Sequence, residues 1–582
     1  MSSSLSLQNT STNSSGISFQ GISSGIQTSQ LVQAEISQAS LPMQQLQTQQ
    51  TANTTRSTAL TALQTQMTTL SGDLSNLTTT GLTARVVTST DPDNSYITAT
   101  ASGGASGSYT MQVIQTATNA EISPTLDSSG TPTNLAVASA TAPVFTDTSG
   151  NDTGSATFSL EDTNGNVQQV TLDGDNNNIN GLANAINALQ TANPNVPGSV
   201  GLGIQATVVN TGSGTNPYEL LLTSTTTGSG TAGNSITIAD STPNGAVNLL
   251  GIAAGSVSGS TITGGTQANQ AAQNAQFTLD GVKLTRSSNT VSDAVSGVTF
   301  NLIAGNQAGT TTLTVAPDVT TATANMNTVI NDYNAMIQSY NTDAAQGGSL
   351  NGDFATQGMM GQIAQALTGS AAGLPASAVY NSAASLGLST NEDGTLSLDT
   401  STFQTAFTAN PTAALNVFAT SAASTSASVS MAASGPNTAT GVIGFNITSY
   451  TAGGEVGGTL TAPDGTQYQV TGTNNTLVGP SGTPLAGLYL NITGTGSGSL
   501  TLSQGVGQAA ANVITNLTAY GTGTIAEIQT DITNQNTDLA AQIASQQQML
   551  NTMQTSLENQ YATMEATLSQ LQAAGQSITS LS

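Results

Sequence analysis

The amino-acid sequence predicts an α+β multidomain protein, in which terminal helices form a coiled coil or helical bundle with β-rich domains inserted between them. Three observations predict it. Late in the chain, Ile525, Ile528, Ile532, Leu539, Ile543, Leu550, Met553, Leu557, Tyr561, Met564, Leu568 and Leu571 return in steps built from threes and fours, with Gln filling most gaps. That is a coiled-coil stripe. Near the other end, Leu60, Leu63, Met67, Leu70, Leu74 and Leu77 step by three, four, three, four and three. Between the stripes the period falls to two and Gly, Asn and Thr become frequent, which reads as strands and turns. A leucine left in water forgoes about 1.5–3 kcal/mol, so each stripe needs cover from the other terminal helix or from copies in other subunits.

In chain order, residues 1–25 are Ser, Asn, Gly and Gln with scattered apolars, too little to fix a structure, and a mobile tail is expected. A helical pattern starts at Ile26, Leu31, Val32 and Ile36, is disturbed at Pro42, and weakens through a Gln-rich stretch around Arg56 before the clean heptads. The helix is expected to end near Gly81. Tyr96, Thr98 and Thr100, a Gly-rich turn at 103–107, then Tyr109, Met111 and Val113 predict a β-hairpin. Phe158–Leu160, Asn164-Gly165, Val167–Leu172, then Ile179, Leu182, Ile186 and Leu189 read as strand, turn, strand, helix, with strands at Ile204–Val209 and Leu220–Thr223 following. Phe277–Leu279, Asp280-Gly281, Val282–Leu284, Val291–Val295 and Val298–Ile303 read as a shorter copy in the same order, helix included.

A third helix follows Pro317, with Val319, Ala322, Met326, Val329, Tyr333, Met336 and Tyr340 alternating by three and four; it is a natural partner for the terminal pair. Then come a short helix at Met359–Leu367, a turn at Asp393-Gly394 between Leu388 and Leu396, and an amphipathic run with Phe403, Phe407, Leu415 and Phe418. Residues 436–502 return to β-like spacing and predict a small inserted sheet.

Composition excludes several classes of function. Of 582 residues only 6% are charged, the formal net charge is −26, and the cations are Arg56, Arg85, Lys283 and Arg286 alone. A nucleic acid or an anionic membrane surface needs many cations facing phosphate, so neither is a partner. No Cys, His or Trp occurs, which removes disulfides, thiolate chemistry and the commonest metal ligands. No apolar run of about 18 residues exists to span a bilayer, so no membrane insertion is expected, and residues 1–25 lack the basic start and apolar middle of a secretory signal. So much Thr and Ser with so few charges suits an extracellular protein. It also suits an acid exterior, where amide and hydroxyl surfaces keep their hydration; helical circular dichroism lost at pH 3 and kept at pH 7 would count against that reading.

Motifs for chemistry are weak. Asp173-Gly174-Asp175-Asn176-Asn177 opens like a calcium loop, but Asn178 stands where Gly is needed and Asn184 where Glu is needed. Gly212–Gly214 lacks the Lys of a phosphate loop. Glu161, Asp162, Glu392, Asp393 and Asp399 offer carboxylates for an acid hydrolase, yet each sits at a turn or a helix start, where capping explains it. The expectation is no enzyme, with no catalytic residue, cofactor or metal. The heptads admit an intramolecular hairpin or assembly between subunits; stripes at both extremities favour assembly.

Several segments resemble one known family. They are Gly21-Ile22-Ser23-Ser24-Gly25-Ile26 with Leu31-Val32, the stretch STDPDNSYITATA at 89–101 leading to Gly107-Ser108-Tyr109-Thr110, and Phe277-Thr278-Leu279-Asp280-Gly281-Val282 through Arg286-Ser287-Ser288-Asn289-Thr290 to Gly297-Val298-Thr299. Asp332-Tyr333-Asn334-Ala335, Leu386-Gly387-Leu388, Asp393-Gly394-Thr395-Leu396, Asp399 and Pro411 to Phe418 continue the match in order. Together they are similar to the bacterial flagellar filament cap proteins, the hook-associated protein 2 family. The resemblance implies an extracellular homo-oligomeric ring at the flagellum tip, exported unfolded through the flagellar secretion channel without a cleaved signal. It implies terminal helices as legs on the last flagellins, a β-rich plate above, and flagellin folding beneath. Implied partners are flagellin, hook–filament junction proteins and an export chaperone, and the outer plate is a candidate for surface adhesion.

On this reading residues 1–45 are the tail and helix start, 46–90 the N-terminal coiled-coil helix, 91–122 and 241–310 the two parts of a plate domain, and 123–240 a variable outer domain. Residues 311–435 are a helical head, 436–504 the inserted β domain, and 505–582 the C-terminal leg. The expected leg and oligomer contacts are Leu60, Leu63, Met67, Leu70, Leu74, Leu77, Ile532, Leu539, Ile543, Leu550, Met553, Leu557, Met564, Leu568 and Leu571. Polar positions at Gln49 or Gln50, Asn53 and Arg56 are expected to weaken the coil, so that leucine at 53 and 56 would tighten the legs and slow filament growth. A flagellin, a junction protein or a surface adhesin are the competing readings.

Overall fold

Pro42 makes the first break. It has no N–H to give and is tolerated only in a helix's first turn, so one helix closes before it and the next starts with it. The structure is a computed structural model that describes residues 27–579 apart from 104–105, 148–154, 175, 192–199, 243–246, 259–260, 306–308 and 376. The expected mobile tail lies outside the described residues. Among the described residues the helices are α1 (Thr28–Ala39), α2 (Leu41–Asn76), α3 (Ile179–Ala188), α4 (Val319–Ala344), α5 (Phe354–Thr368), α6 (Thr400–Ala409), α7 (Pro411–Phe418), α8 (Val506–Thr518) and α9 (Thr524–Thr579). Past Asn76, α2 ends in one wide turn at Leu77–Gly81, where the Leu82 N–H donates to the Leu77 carbonyl at 2.9 Å.

The chain forms two units, residues 83–321 and the flanking segments 1–82 and 322–582. In unit 83–321 two β cores are present. The first joins a five-stranded sheet, in the order Arg85–Ser89, Thr311–Pro317, Gly107–Gln115, Ala275–Leu279 and Val282–Arg286, to a three-stranded sheet of Thr290–Val295, Val298–Leu302 and Ile97–Ala101. Phe277, Phe300, Met111 and Leu313 are buried between them. Ile97–Ala101 and Gly107–Gln115 therefore do not form the expected hairpin; they belong to opposite sheets, and each takes partners from residues 275–317. Asp280-Gly281 does make the predicted turn, with positive φ at both residues (49° and 82°) as a tight two-residue hairpin requires. The expected second helix is absent: Thr290–Val295 is a strand, consistent with its β-branched residues and its shortness.

The second core lies in residues 120–272 and packs α3 with strands that include Ser155–Glu161, Val167–Asp173, Ile204–Asn210 and Tyr218–Ser224. Leu250, Ile252 and Ala272 are buried in this core, although the sequence reading assigns them, with 241–310, to a separate domain. The first core resumes at Ala275. Asn178, which spoils the calcium-loop pattern, is the N-cap of α3 and accepts the Gly181 N–H at 2.9 Å.

In the other unit, α2 packs along α8 and α9, α5 packs on α8, and α1 lies on α9. The third helix, α4, reaches α2 as expected: the Asn325 amide donates to the Gly81 carbonyl at 3.3 Å. Its other face holds the hairpin Leu388–Thr390/Leu396–Leu398, with Asn334 both donating to and accepting from the Leu396 backbone at 2.8 and 2.7 Å. Between α7 and α8 the chain makes eight antiparallel strands, starting at Ser421–Ser424 rather than at 436. The first strand of the row, Ser421–Ser424, and the last, Val429–Ala433, are consecutive in sequence and lie side by side, so the sheet rolls toward a barrel. Ile443, Phe445, Leu460, Leu490 and Leu500 fill it. Its neck is narrow: Ser421 and Ser503 touch through their hydroxyls at 2.7 Å, and Gly505 lies directly beneath the backbone of Phe418 and Ala419.

Candidate functional site: the paired terminal helices

The two stripes meet. α2 and α9 run antiparallel, as their cross-contacts show: Thr61 accepts from Gln529 at 3.2 Å, Asn53 donates to Gln535 at 3.4 Å, and Gln50 donates to the Asn536 carbonyl at 3.5 Å. Farther out, the Tyr561 hydroxyl reaches Glu35 of α1 at 3.4 Å. α9 is 56 residues long, about 84 Å at the helical rise. Pairing of the two ends therefore occurs within one chain.

Burial along this pairing is graded. Leu60, Leu63, Met67, Leu70, Leu74 and Leu77 are all buried, no more than 2% exposed, inside the chain's own helical core. That occupies the side chains expected to serve as contacts between subunits, because α8 and α9 already cover the stripe. On α9, Ile532 and Leu550 are buried, Leu539, Ile543, Leu557, Met564 and Leu568 are half-buried, and Met553 and Leu571 are exposed at 37% and 65%. Two helices cannot enclose a seam as a bundle does, and an apolar row stays partly open along the outer length of α9. Val32 of α1, part of the helical pattern that opens the chain, is buried in this region.

Arg56 departs from its expected role. It is no weak heptad position: its Nε and Nη2 donate to one Asp353 oxygen at 3.0 and 2.7 Å. The other Asp353 oxygen accepts the Ala355 and Thr356 N–H groups as the N-cap of α5. The sequence signal was there in Asp353 three residues before Thr356, but nothing in one dimension links it to residue 56.

Two other carboxyl groups, on α2 and α4, lie against each other. Asp73 of α2 is pushed up from 3.8 to about 6 by its hydrogen bond to Asp332 of α4, by burial and by the Asp332 charge. A carboxyl raised in the folded state stabilises the fold while protonated; the contribution is full below about pH 4 and is lost as pH rises through about 6. Asp399 is the opposite case, held at about 2 by Ser401 and Thr402 at the start of α6, and its contribution is lost only as pH falls from about 4 toward that value. The melting temperature is expected to fall between about pH 4 and 6, and less steeply in Asp73→Asn than in the parent chain. Parallel pH profiles would refute the raised Asp73 carboxyl.

Of the remaining carboxylates weighed for chemistry, Glu392 is exposed and the other three have structural roles. Asp162 accepts from Asn164, Asn166 and Gly203, Glu161 accepts the Ile262 N–H at 2.9 Å, and Asp393 takes the Thr395 N–H and hydroxyl, which hold it below the usual carboxylate range. Among the described residues no cluster of acidic side chains is arranged to hold a metal ion.

The family model described as flagellar hook-associated protein 2 C-terminus matches residues 272–573, more than half of the chain, and the corresponding N-terminus model matches residues 24–120. The chain belongs to the flagellar hook-associated protein 2 family. Those two matches stop and resume at the edges of the second β core, 120–272, so the matched parts hold the first β core, the helices and the barrel of residues 421–503. The B-type flagellar hook-associated protein 2 of Pseudomonas aeruginosa is 28% identical over 334 residues, 54% of this chain and 62% of that protein. The Campylobacter jejuni hook-associated protein 2 is 32% identical over 151 residues, 23% of each chain. The matched segment thus spans less than two thirds of either relative. Among solved structures, the D1-D2-D3 domains of the flagellar cap protein FliD from Escherichia coli are 24% identical, covering 62% of this chain and 89% of that one with a TM-score of 0.46. FliD from Pseudomonas aeruginosa is 25% identical, with coverage of 42% and 93% and a TM-score of 0.28.

Proposed function

We propose that this member of the hook-associated protein 2 family is the structural cap at the distal end of the flagellar filament. In this reading it forms a ring of copies that confines exported flagellin while it folds and inserts, so that filament elongation and motility depend on it. The observation that carries the reading is the outer length of α9, whose apolar row at Leu557, Met564, Leu568 and Leu571 is only partly covered by α1. Such a row gains by packing on a neighbour, either another copy or the last flagellin. Junction proteins at the filament base and an export chaperone before secretion are the further partners, and the chain leaves the cell through the flagellar secretion apparatus. No bond is made or broken; the work is steric confinement and exchange of helix contacts.

The test is made in the bacterium that encodes this chain. With the gene deleted, flagellin is expected in the medium as monomer and filaments are expected to be absent. The intact gene restores filaments, whereas Leu557→Ser/Met564→Ser/Leu568→Ser does not. Full-length filaments in the deletion strain would end the proposal.

A further inference from the structure

The α2–α9 pairing is interrupted by one polar layer. On the inner side, Leu60 and Ile532 are buried and nearly dry. On the outer side, Leu46, Leu539 and Ile543 are only half-buried. Between them lie Gln50 and Asn53 on α2, facing Gln535 and Asn536 on α9. The contacts that cross this layer are at 3.4 and 3.5 Å, the outer limit for a useful hydrogen bond. The side-chain Oδ1 of Asn536 is buried there and accepts no hydrogen bond; Gln546 Oε1, farther out along α9, and Gln66 Oε1, on the inner part of α2, are in the same state, but only Asn536 lies in a layer whose cross-helix contacts are also long.

A buried acceptor without a donor costs its desolvation, whereas separated helices return it to water. The layer therefore lowers the cost of opening where it lies, and the pairing beyond it is held mostly by half-covered side chains, with Leu550 and Val32 the buried apolar exceptions. We propose that the Gln50–Asn53–Gln535–Asn536 layer is a release joint, about which the outer hairpin separates and re-pairs while the inner pairing of Leu60 with Ile532 stays closed. The inference stands on this geometry and does not depend on the role proposed above. Fraying of helix ends would also loosen the hairpin, but gradually from the tip; a joint makes a step at the layer.

The chain has no cysteine, so paired spin labels can be placed uniquely in the full-length protein. Labels at Glu35→Cys/Tyr561→Cys report the outer hairpin, and labels at Thr61→Cys/Gln529→Cys report the inner one. The outer pair is expected to show a second, long-distance population about tenfold above that of the inner pair, matching the penalty of one orphaned amide. Adding Asn53→Leu/Asn536→Leu is expected to collapse the outer pair to the short distance and leave the inner pair unchanged, which also shows that the variant is folded. A single short distance for the outer pair in the parent chain would overturn the proposal. So would a long-distance population that the leucine substitutions do not reduce.

Discussion

Replacing Arg56 by leucine is expected to destabilise the helical unit by about 3 kcal/mol, the lower end of the range for removing one partner of a buried ion pair. The lower end applies because the Arg56 side chain is 31% exposed while Asp353 is 6% exposed. Leucine suits a coiled-coil seam, and by pattern alone the change ought to tighten it. In the fold it strands the Asp353 carboxylate, whose second oxygen is committed to capping α5. Urea unfolding followed by circular dichroism measures the loss. Arg56→Leu/Asp353→Asn is expected to recover much of it, because a neutral amide no longer needs the guanidinium. A single variant as stable as the parent would show that the pair is solvated in practice.

Gly505→Ala is expected to cost about 3 kcal/mol or more, at the upper end of overpacking effects. The glycine has ordinary φ (−72°), so backbone freedom is not the issue. Space is: an added Cβ would run into the main chain of Phe418 and Ala419, which cannot rotate aside as a side chain would. The same glycine donates its N–H to the Ala419 carbonyl at 3.2 Å and starts α8. Moving it disturbs the neck of the barrel and the helix that covers Leu70 and Leu74 together. Thermal unfolding with limited proteolysis around residues 418–421 reads the effect. A variant with parental melting temperature would mean that the neck can widen freely.

These two residues also mark what a sequence makes legible. Periodicity exposed both terminal helices, α4 and the break at Pro42, because burial on one face writes a repeat into the chain. Two-residue turns such as Asp280-Gly281 were legible for a similar reason, since positive φ selects Gly and its neighbours. Partnership was not. Ile97–Ala101 and Gly107–Gln115 alternate like a hairpin and yet pair in different sheets, because strand spacing does not say which edge a strand will take. The boundary at residue 272 was missed for the same reason: Leu250 and Ile252 carry no mark of which core they join. In the leg, the apolar row was visible, but whether its first six members face another subunit or the chain itself depended on α8, whose contribution cannot be seen in α2. Arg56 shows the limit most plainly, with its partner 297 positions away.

The barrel of residues 421–503 has a consequence for how such a chain diversifies. Its two ends leave the helical scaffold side by side, at a pair of touching serines and one glycine with no room above it. A module hung from so small a base transmits little of its own history to what carries it. Substitutions, insertions or outright exchange of the outer strands leave the helices under their former selection, provided that the entry and exit keep their separation. The strands of residues 421–503 can therefore change while the helices that carry them keep their packing.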